Sequence, residues 1–165
     1  MNTLIAAMQD AEKYYEIIQA GRRFQEEQGF TQWTEDYPNL DTIHDDIQKK
    51  KGYALMADGK IAGYLCLDFE GEPAYETIEG AWRQDAPYAV AHRMAFHPAF
   101  RGAGLADTAF RLIEAVCRQK DTFYIRADTD FPNQRMQHIL LKNGYVNCGT
   151  VIFQGSAKLA YDKIL

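Results

Sequence analysis

The segment most able to do chemistry is a glycine-rich turn, Arg101-Gly102-Ala103-Gly104-Leu105-Ala106. It lies between an apolar stretch that ends at Phe96 and a helical pattern that begins at Gly104. Backbone N–H groups in the first turn of a helix have no partner inside the helix, and the helix dipole adds partial positive charge there. Glycines let an anion approach these groups closely because no Cβ intervenes. The turn therefore suits a pyrophosphate, with Arg101 as a fixed charge at its edge.

Two common phosphate-binding motifs do not fit this turn. A P-loop needs Lys and then Ser or Thr after its last glycine, whereas Leu105 and Ala106 follow Gly104. A dinucleotide-binding fingerprint needs a third glycine where Asp107 stands, and it follows the first strand of its fold rather than the fourth. A helix that simply begins with a glycine-rich turn is the remaining alternative, and the turn alone leaves it open.

The elements that position the turn are predicted from hydrophobic periodicity. Helical spacing and end signals predict four helices, within residues 10–29, 39–52, 104–120 and 133–144. Apolar runs and alternation predict strands at 4–7, 53–57, 61–67, 88–96, 123–127, 145–153 and 158–161. Asp58-Gly59 is a hairpin signal. The order predicts a mixed α/β fold of about seven strands and about four helices, as one domain over residues 1–165.

The turn and its flanking segments resemble a known family. Residues 101–106 match motif A, Arg/Gln-x-x-Gly-x-Gly/Ala, of the GNAT superfamily of acetyl-CoA-dependent N-acetyltransferases. Residues 91–98 resemble the fourth strand of that family, and residues 125–129 with 133–145 resemble its motif B. The resemblance implies a central, splayed mixed sheet, acetyl-CoA as co-substrate without a metal, and acetyl transfer to a primary amine of a small molecule or peptide by direct attack on the thioester.

The resemblance also implies which residues bind acetyl-CoA. Backbone groups in the fourth strand would face the pantetheine arm, the 101–106 turn would hold the pyrophosphate, and Asn133 would hydrogen-bond the arm. The implied set is Met94, Ala95, Phe96, Arg101, Gly102, Ala103, Gly104, Leu105, Ala106, Asn133, Met136, Leu140 and Lys142.

The sequence departs from the family at the residue that usually supplies a proton. In many members a Tyr five positions before the Phe of a Gly-Phe pair protonates the departing thiolate. Here the pair is Gly144-Tyr145 and the aligned position is Leu140, which has no hydroxyl. Tyr145 is a substitute acid, with a core tyrosine as the alternative. The missing hydroxyl also leaves open a non-catalytic acetyl-CoA-binding sensor or subunit.

His92 is the predicted general base. Imidazole titrates in the range a base needs, and strand alternation would place His92 on the same side as Met94 and Phe96. A structural histidine is the alternative reading. Asp128, at the predicted end of the next strand, would serve the acceptor side by orienting His92 or a water, or else would cap the helix after Pro132.

Aromatic and acidic residues could bind the acceptor. Trp33 and Tyr37 lie in the loop between the first two helices, and this loop borders the acceptor cleft in the fold that the resemblance implies. They could hold an amine by cation–π contact, or they could pack against the segment of Trp82. Glu70, Glu72 and Glu76 could form an acidic rim for a cationic amine, or a solvated charge run.

Composition sets limits on the partners. The formal net charge of −5 over 165 residues and the scattered basic residues argue against nucleic-acid binding. Three cysteines far apart, with no Cys-x-x-Cys, suggest neither a zinc site nor a disulfide framework. The sequence contains no apolar run of membrane-spanning length and no leader pattern, so we expect a cytoplasmic protein without a membrane partner. A homodimer is compatible with the sequence.

Overall fold

Across residues 1–8 and 10–165, which the structure describes, the computed structural model has eight strands and four α-helices. In chain order they are β1 Asn2–Ala6, α1 Ala11–Glu27, α2 Leu40–Gln48, β2 Gly52–Ala57, β3 Lys60–Asp68, β4 Glu79–Gly80, β5 Ala89–Phe96, α3 Leu105–Gln119, β6 Tyr124–Asp130, α4 Gln134–Lys142, β7 Val146–Phe153 and β8 Ser156–Ile164. The predicted mixed α/β class is confirmed. The predicted count omitted β4, because two polar residues carry no alternating pattern.

Several predicted boundaries differ from the structure, and two of the differences bear on the site or its support. The second helix ends at Gln48 rather than at Gly52, because Lys50 adopts a left-handed backbone (φ 61°) and Gly52 already pairs in β2. The strand after α3 continues to Asp130, so Asp128 lies inside β6 rather than at its end. Antiparallel pairing with β8 holds these last residues in extended form although their side chains are polar.

The chain forms two compact units, and the residues of β5 and of α3 are each divided between them. The first comprises Met1–Leu67 and Arg93–Leu112, and the second comprises Asp68–His92 and Ile113–Leu165. In the first unit β1, β2 and β3 are antiparallel neighbours. The predicted Asp58-Gly59 hairpin is confirmed, with both residues at positive φ (52° and 74°), as a tight two-residue turn requires. Asn39 caps α2 in a reciprocal capping box with Thr42.

A small apolar core holds α1 and α2 in the first unit. Ile17 and Ile18 of α1 pack with Ile43 of α2, which is fully buried, and with Trp33 of the connecting loop. A Cβ at Gly21 of α1 would lie 2.9 Å from the Trp33 ring, so the buried ring would have to shift to accept any larger residue. These contacts fix the loop between the two helices.

In the second unit β5 begins a parallel ladder with β6, and β6, β8 and β7 continue as antiparallel neighbours. The parallel ladder joins Ala89 to Ile125 and Val90 to Arg126. β4 pairs with β7 through Glu79–Thr150 and Gly80–Gly149.

The β4–β7 contact depends on two glycines that face each other. Gly80 (φ 128°) and Gly149 (φ 138°) adopt backbone angles that side chains rarely accept, and a Cβ on Gly149 would overlap the carbonyl oxygen of Glu79. We expect Gly149→Ala to lower the free energy of unfolding by about 2–4 kcal/mol, from strain and overlap together. Gly155→Ala (φ 77°, nothing within 4 Å of its Cβ) is the control and should cost about 1 kcal/mol. Equal losses in urea unfolding would contradict this reading.

Asp162 is a fully buried carboxylate that links β8 to the segment after β4. It accepts hydrogen bonds from Arg83 Nε (2.6 Å), Arg83 N (3.0 Å) and the Tyr124 hydroxyl (2.6 Å). Burial alone would raise the pKa of Asp162, but the hydrogen bonds from Tyr124 and Arg83 outweigh burial and lower it. The carboxylate therefore contributes to the stability of the second unit only while it is ionised.

The lowered pKa of Asp162 predicts a loss of stability in acid. The unfolded chain binds this proton more readily, near pH 4, so the stabilisation is complete above that pH and is lost as the pH falls through the folded pKa. We expect the melting temperature of the wild type to fall more steeply than that of Asp162→Asn between pH 5 and about pH 3. Parallel falls in both proteins, followed by circular dichroism, would show that Asp162 contributes nothing to the acid transition.

Candidate active site

The glycine turn of the first unit has the backbone that an anion cradle needs. Gly102 (φ 82°) and Gly104 (φ 71°) are left-handed, and no described atom lies within 4 Å of a Cβ built on either. The first helical hydrogen bond of α3 runs from Thr108 N to Gly104 O (3.3 Å), so the amides of Leu105 and Ala106 belong to the unpaired first turn. A short 3-10 turn over Pro98–Phe100 precedes the glycines. The open space beside a helix start therefore fits a pyrophosphate.

Arg101 holds this turn against α1. Its Nη2 donates to the carbonyl oxygen of Ala20 (2.9 Å), and its guanidinium carbon lies 4.2 Å from the centre of the Phe24 ring. The side chain was predicted as a fixed charge at the edge of the anion site. The structure adds an anchoring role, and the contribution of its charge to anion binding stays a prediction.

The strand before the turn is irregular at Arg93. This residue has φ 52°, a left-handed conformation inside β5, and the alternation of buried with half-buried residues breaks there, since Arg93 and Met94 are both half-buried. The prediction that His92 lies on the same side of the strand as Met94 and Phe96 requires a regular strand. β5 is not regular, because the left-handed Arg93 interrupts its period of two, so that prediction was wrong. Further on, His97 N donates to Ala62 O (2.8 Å), which ties the strand end to β3.

In the second unit His92 has an acidic neighbour. His92 is 8% exposed, its ring stacks 5.7 Å from that of Phe153, and its Nε2 lies 3.8 Å from Glu72 Oε2. Glu72 is itself oriented, since Oε1 accepts from Ala74 N (3.3 Å) and its backbone N donates to the Tyr88 hydroxyl (3.1 Å). The sequence offered Glu72 only as part of an acidic rim, and no local signal pairs it with a strand residue.

Asp128 is held by a tyrosine that the sequence did not single out. The Tyr75 hydroxyl donates to Asp128 Oδ1 (2.5 Å), and Tyr75 is fully buried. Burial, and then the negative charge of Asp128, raise the pKa of Tyr75 well above its ordinary value, so it stays a donor. The alternative in which Asp128 caps the following helix is wrong, because Asn133 caps α4 by accepting from Met136 N (3.1 Å).

An aromatic cluster of the second unit encloses a buried arginine. The Arg126 guanidinium carbon lies 4.1–5.1 Å from the ring centres of Tyr88, Trp82 and Tyr124. Its Nη2 donates to Gln84 O (2.8 Å). Cation–π contacts with these three rings stabilise the buried charge of Arg126 away from water.

The remaining predicted residues of the second unit lie immediately before α4, on it or after it. Asn133 is the helix cap, Met136 is half-buried, Leu140 is 1% exposed and Lys142 is exposed. Their assignment to the pantetheine channel stays a prediction. Tyr145 is 2% exposed, and burial raises its pKa well above the ordinary value, which makes proton donation costly. Its surroundings favour the core tyrosine that the sequence also allowed.

The two aromatic candidates for the acceptor have different surroundings in the first unit. Trp33 is 7% exposed and packs in the core, which favours a packing role. Tyr37 is half-buried, and its hydroxyl accepts from Arg93 Nη1 (2.6 Å). A role for either residue in acceptor binding stays a prediction.

Among residues 1–8 and 10–165 no group of three or more His, Cys, Asp or Glu side chains is arranged to hold a metal ion. In that part of the chain no helix has both the length and the apolar character to cross a bilayer.

Comparison with known proteins identifies the family. The family model described as Acetyltransferase (GNAT) family matches residues 8–145, which include segments of both units. A GNAT-family acetyltransferase from Streptococcus agalactiae is 34% identical, with 99% of this chain and 95% of that chain covered and a TM-score of 0.89. No curated protein matches the sequence.

More distant structures share the fold. AAC(6')-Ib, solved with ribostamycin and coenzyme A, is 19% identical over 99% of this chain and 93% of that chain (TM-score 0.72). The PaiA N-acetyltransferase of Thermoplasma acidophilum, solved with coenzyme A, is 14% identical over 100% of this chain and 99% of that chain (TM-score 0.75). The family match and the 34% identical relative bear out the resemblance noted in the sequence: the chain belongs to the GNAT family of acetyl-CoA-dependent N-acetyltransferases.

Proposed function

We propose that this chain transfers the acetyl group of acetyl-CoA to a primary amine of a small molecule or peptide, by direct attack of the amine on the thioester. The observation that carries the proposal is the open, left-handed glycine turn at the start of α3, which fits the pyrophosphate of coenzyme A. The other residues proposed to bind acetyl-CoA are those that the family resemblance implies. They are Met94–Phe96, the rest of the 101–106 turn, Asn133, Met136, Leu140 and Lys142.

His92 is the proposed base. An alkyl amine is protonated at neutral pH, with a typical pKa of about 10.4, and must lose a proton before its nitrogen can attack. His92 accepts that proton, directly or through a water, and Glu72 beside its Nε2 stabilises the imidazolium that results. A backbone N–H of Met94–Phe96 stabilises the negative charge that develops on the acyl oxygen.

The attack forms the N–C bond and breaks the C–S bond, and the sulfur leaves as a thiolate or takes up a proton. A thiol titrates near pH 8.5, so departure as the anion is costly but feasible. No hydroxyl stands at Leu140, and Tyr145 is deeply buried. These two facts favour thiolate departure over donation by Tyr145, and they support a non-catalytic acetyl-CoA-binding module as the second candidate function.

The acceptor is proposed to be a cationic amine. Glu72 and Asp128 are oriented carboxylates in the unit that holds His92, and the net charge of the chain is −5. AAC(6')-Ib, which shares the fold, was solved with the aminoglycoside ribostamycin, a small-molecule amine. Tyr37 and Trp33 stay candidates for acceptor contacts. A single domain over residues 1–165, a cytoplasmic location and a homodimer are further parts of the proposal.

A steady-state assay of thiol release with a panel of amines tests the proposal. The panel should include polyamines, aminoglycosides, amino acids and short peptides with free N-termini, each against an N-blocked form of the same compound. We expect release above the background hydrolysis with at least one cationic amine and none with its blocked form. Tight acetyl-CoA binding with no amine-dependent release across the panel would instead support the non-catalytic module.

A further inference from the structure

Arg93 occupies an unusual position in the strand that leads to the glycine turn. It is left-handed (φ 52°) in the middle of β5, a conformation that carries a steric cost for any residue with a Cβ. Glycine would adopt it freely, so the presence of arginine needs a reason.

All three guanidinium nitrogens of Arg93 donate a hydrogen bond within the first unit. Nε and Nη2 donate to the two oxygens of Asp46 on α2 (2.9 and 2.6 Å), and Nη1 donates to the Tyr37 hydroxyl (2.6 Å). Asp46 is 3% exposed and also accepts from the Tyr64 hydroxyl of β3 (2.7 Å). A planar guanidinium bound through a two-pronged contact has little freedom to rotate or shift.

Stability alone does not explain this arrangement. A buried ion pair gives little net stabilisation, because removing both charges from water offsets their attraction. A left-handed arginine adds a further cost. Two costly features at one residue are expected where the resulting geometry is itself required.

The geometry that Arg93 would hold in place is the backbone of the next three residues, Met94–Phe96. Because peptide planes are rigid, the backbone dihedral angles at Arg93 set the direction in which the strand continues into Met94–Phe96. Ala95 O lies so close to β3 that a Cβ on Gly63 would come within 2.9 Å of it, which leaves little room for this segment to shift.

We propose that Arg93 is a positioning residue: anchored on Asp46 and Tyr37, it holds the left-handed turn in β5 that aims the backbone of Met94–Phe96 at the acyl end of acetyl-CoA. The proposal rests on the proposed function, because it assigns that backbone to the acyl group. It also gives Tyr37 a defined task, which is to tie the loop between α1 and α2 to the same strand.

Arg93→Lys tests the proposal, with Arg83→Lys as a matched control. Each arginine binds a buried aspartate that also accepts from a tyrosine hydroxyl, namely Asp46 with Tyr64 and Asp162 with Tyr124. In both cases lysine keeps the positive charge but loses the planar guanidinium that donates to the aspartate through two nitrogens. We expect kcat of Arg93→Lys to fall about tenfold or more while the Kd of coenzyme A changes less than about twofold, since misplacement near the reacting atoms costs rate. Arg83→Lys should lower the melting temperature and keep kcat within about twofold.

Two further variants separate positioning from stability. Arg93→Ala and Arg93→Gly both lose the anchor, but only glycine reaches φ 52° without steric cost, so kcat of Arg93→Gly should exceed that of Arg93→Ala by about fivefold. A purely structural role predicts the same kcat per folded molecule in both. If the wild type transfers acetyl and Arg93→Lys matches it in kcat, this proposal is overturned alone. If the wild type transfers no acetyl group, the proposed function and this proposal are both overturned.

Discussion

Replacing Gly104 by alanine should weaken coenzyme A binding by about tenfold or more, and Gly104→Val should abolish measurable binding. The added carbon would occupy open space beside the first amides of α3, where the pyrophosphate is proposed to lie. It would also disfavour the left-handed backbone (φ 71°) that shapes the cradle. Losing a hydrogen bond to a charged group costs about 1.5–3 kcal/mol, and each ~1.4 kcal/mol weakens binding about tenfold. The loss of one or two such bonds therefore accounts for a fall in affinity of about tenfold or more.

Gly59→Ala is the control for this prediction. Gly59 has nearly the same backbone angle (φ 74°), and nothing lies within 4 Å of its Cβ, but it belongs to the β2–β3 hairpin. Both alanine variants should therefore lose similar stability in thermal unfolding. Calorimetric titration with coenzyme A should show weaker binding only for Gly104→Ala. Unchanged affinity in that variant would refute the assignment of the turn to the pyrophosphate.

His92→Gln should lower kcat by about 10²- to 10⁴-fold, the usual contribution of a positioned base. Binding of acetyl-CoA should be retained, because the pyrophosphate turn lies on other residues. The fall in rate on the acidic side of the pH–rate profile should also disappear, since protonation of the imidazole would no longer remove the base.

His44→Gln is the matched control, because His44 is an exposed residue of α2. It should keep the rate and the pH profile of the wild type. A pH–rate profile of His92→Gln that keeps its acidic limb would exclude His92 as the base and leave it the structural histidine that the sequence also allowed.

Local signals predicted much of the fold. The glycine turn, the Asn39 cap and the Asp58-Gly59 hairpin each depend on residues within a few positions of one another, and the structure places all three where they were expected. Family resemblance then identified the class of enzyme, which the turn alone could not do.

Features that depend on distant partners were not predictable. The left-handed Arg93 carries no local signal, because its conformation is compensated by Asp46, 47 positions earlier. Glu72 beside His92 arises from a segment between β3 and β5 that has no periodicity. The two-residue β4 exists because Gly80 and Gly149 let two backbones approach closely, and each glycine alone reads as an ordinary turn residue.

The most direct test of acetyl transfer is to count products. Acetylated amine, measured by mass spectrometry, and released coenzyme A, measured as free thiol, should appear in equal amounts from acetyl-CoA and the best amine of the panel. In Gly104→Ala both should fall together at limiting acetyl-CoA. Release of coenzyme A without any acetylated amine, across the whole panel, would show thioester hydrolysis rather than transfer and would contradict the account.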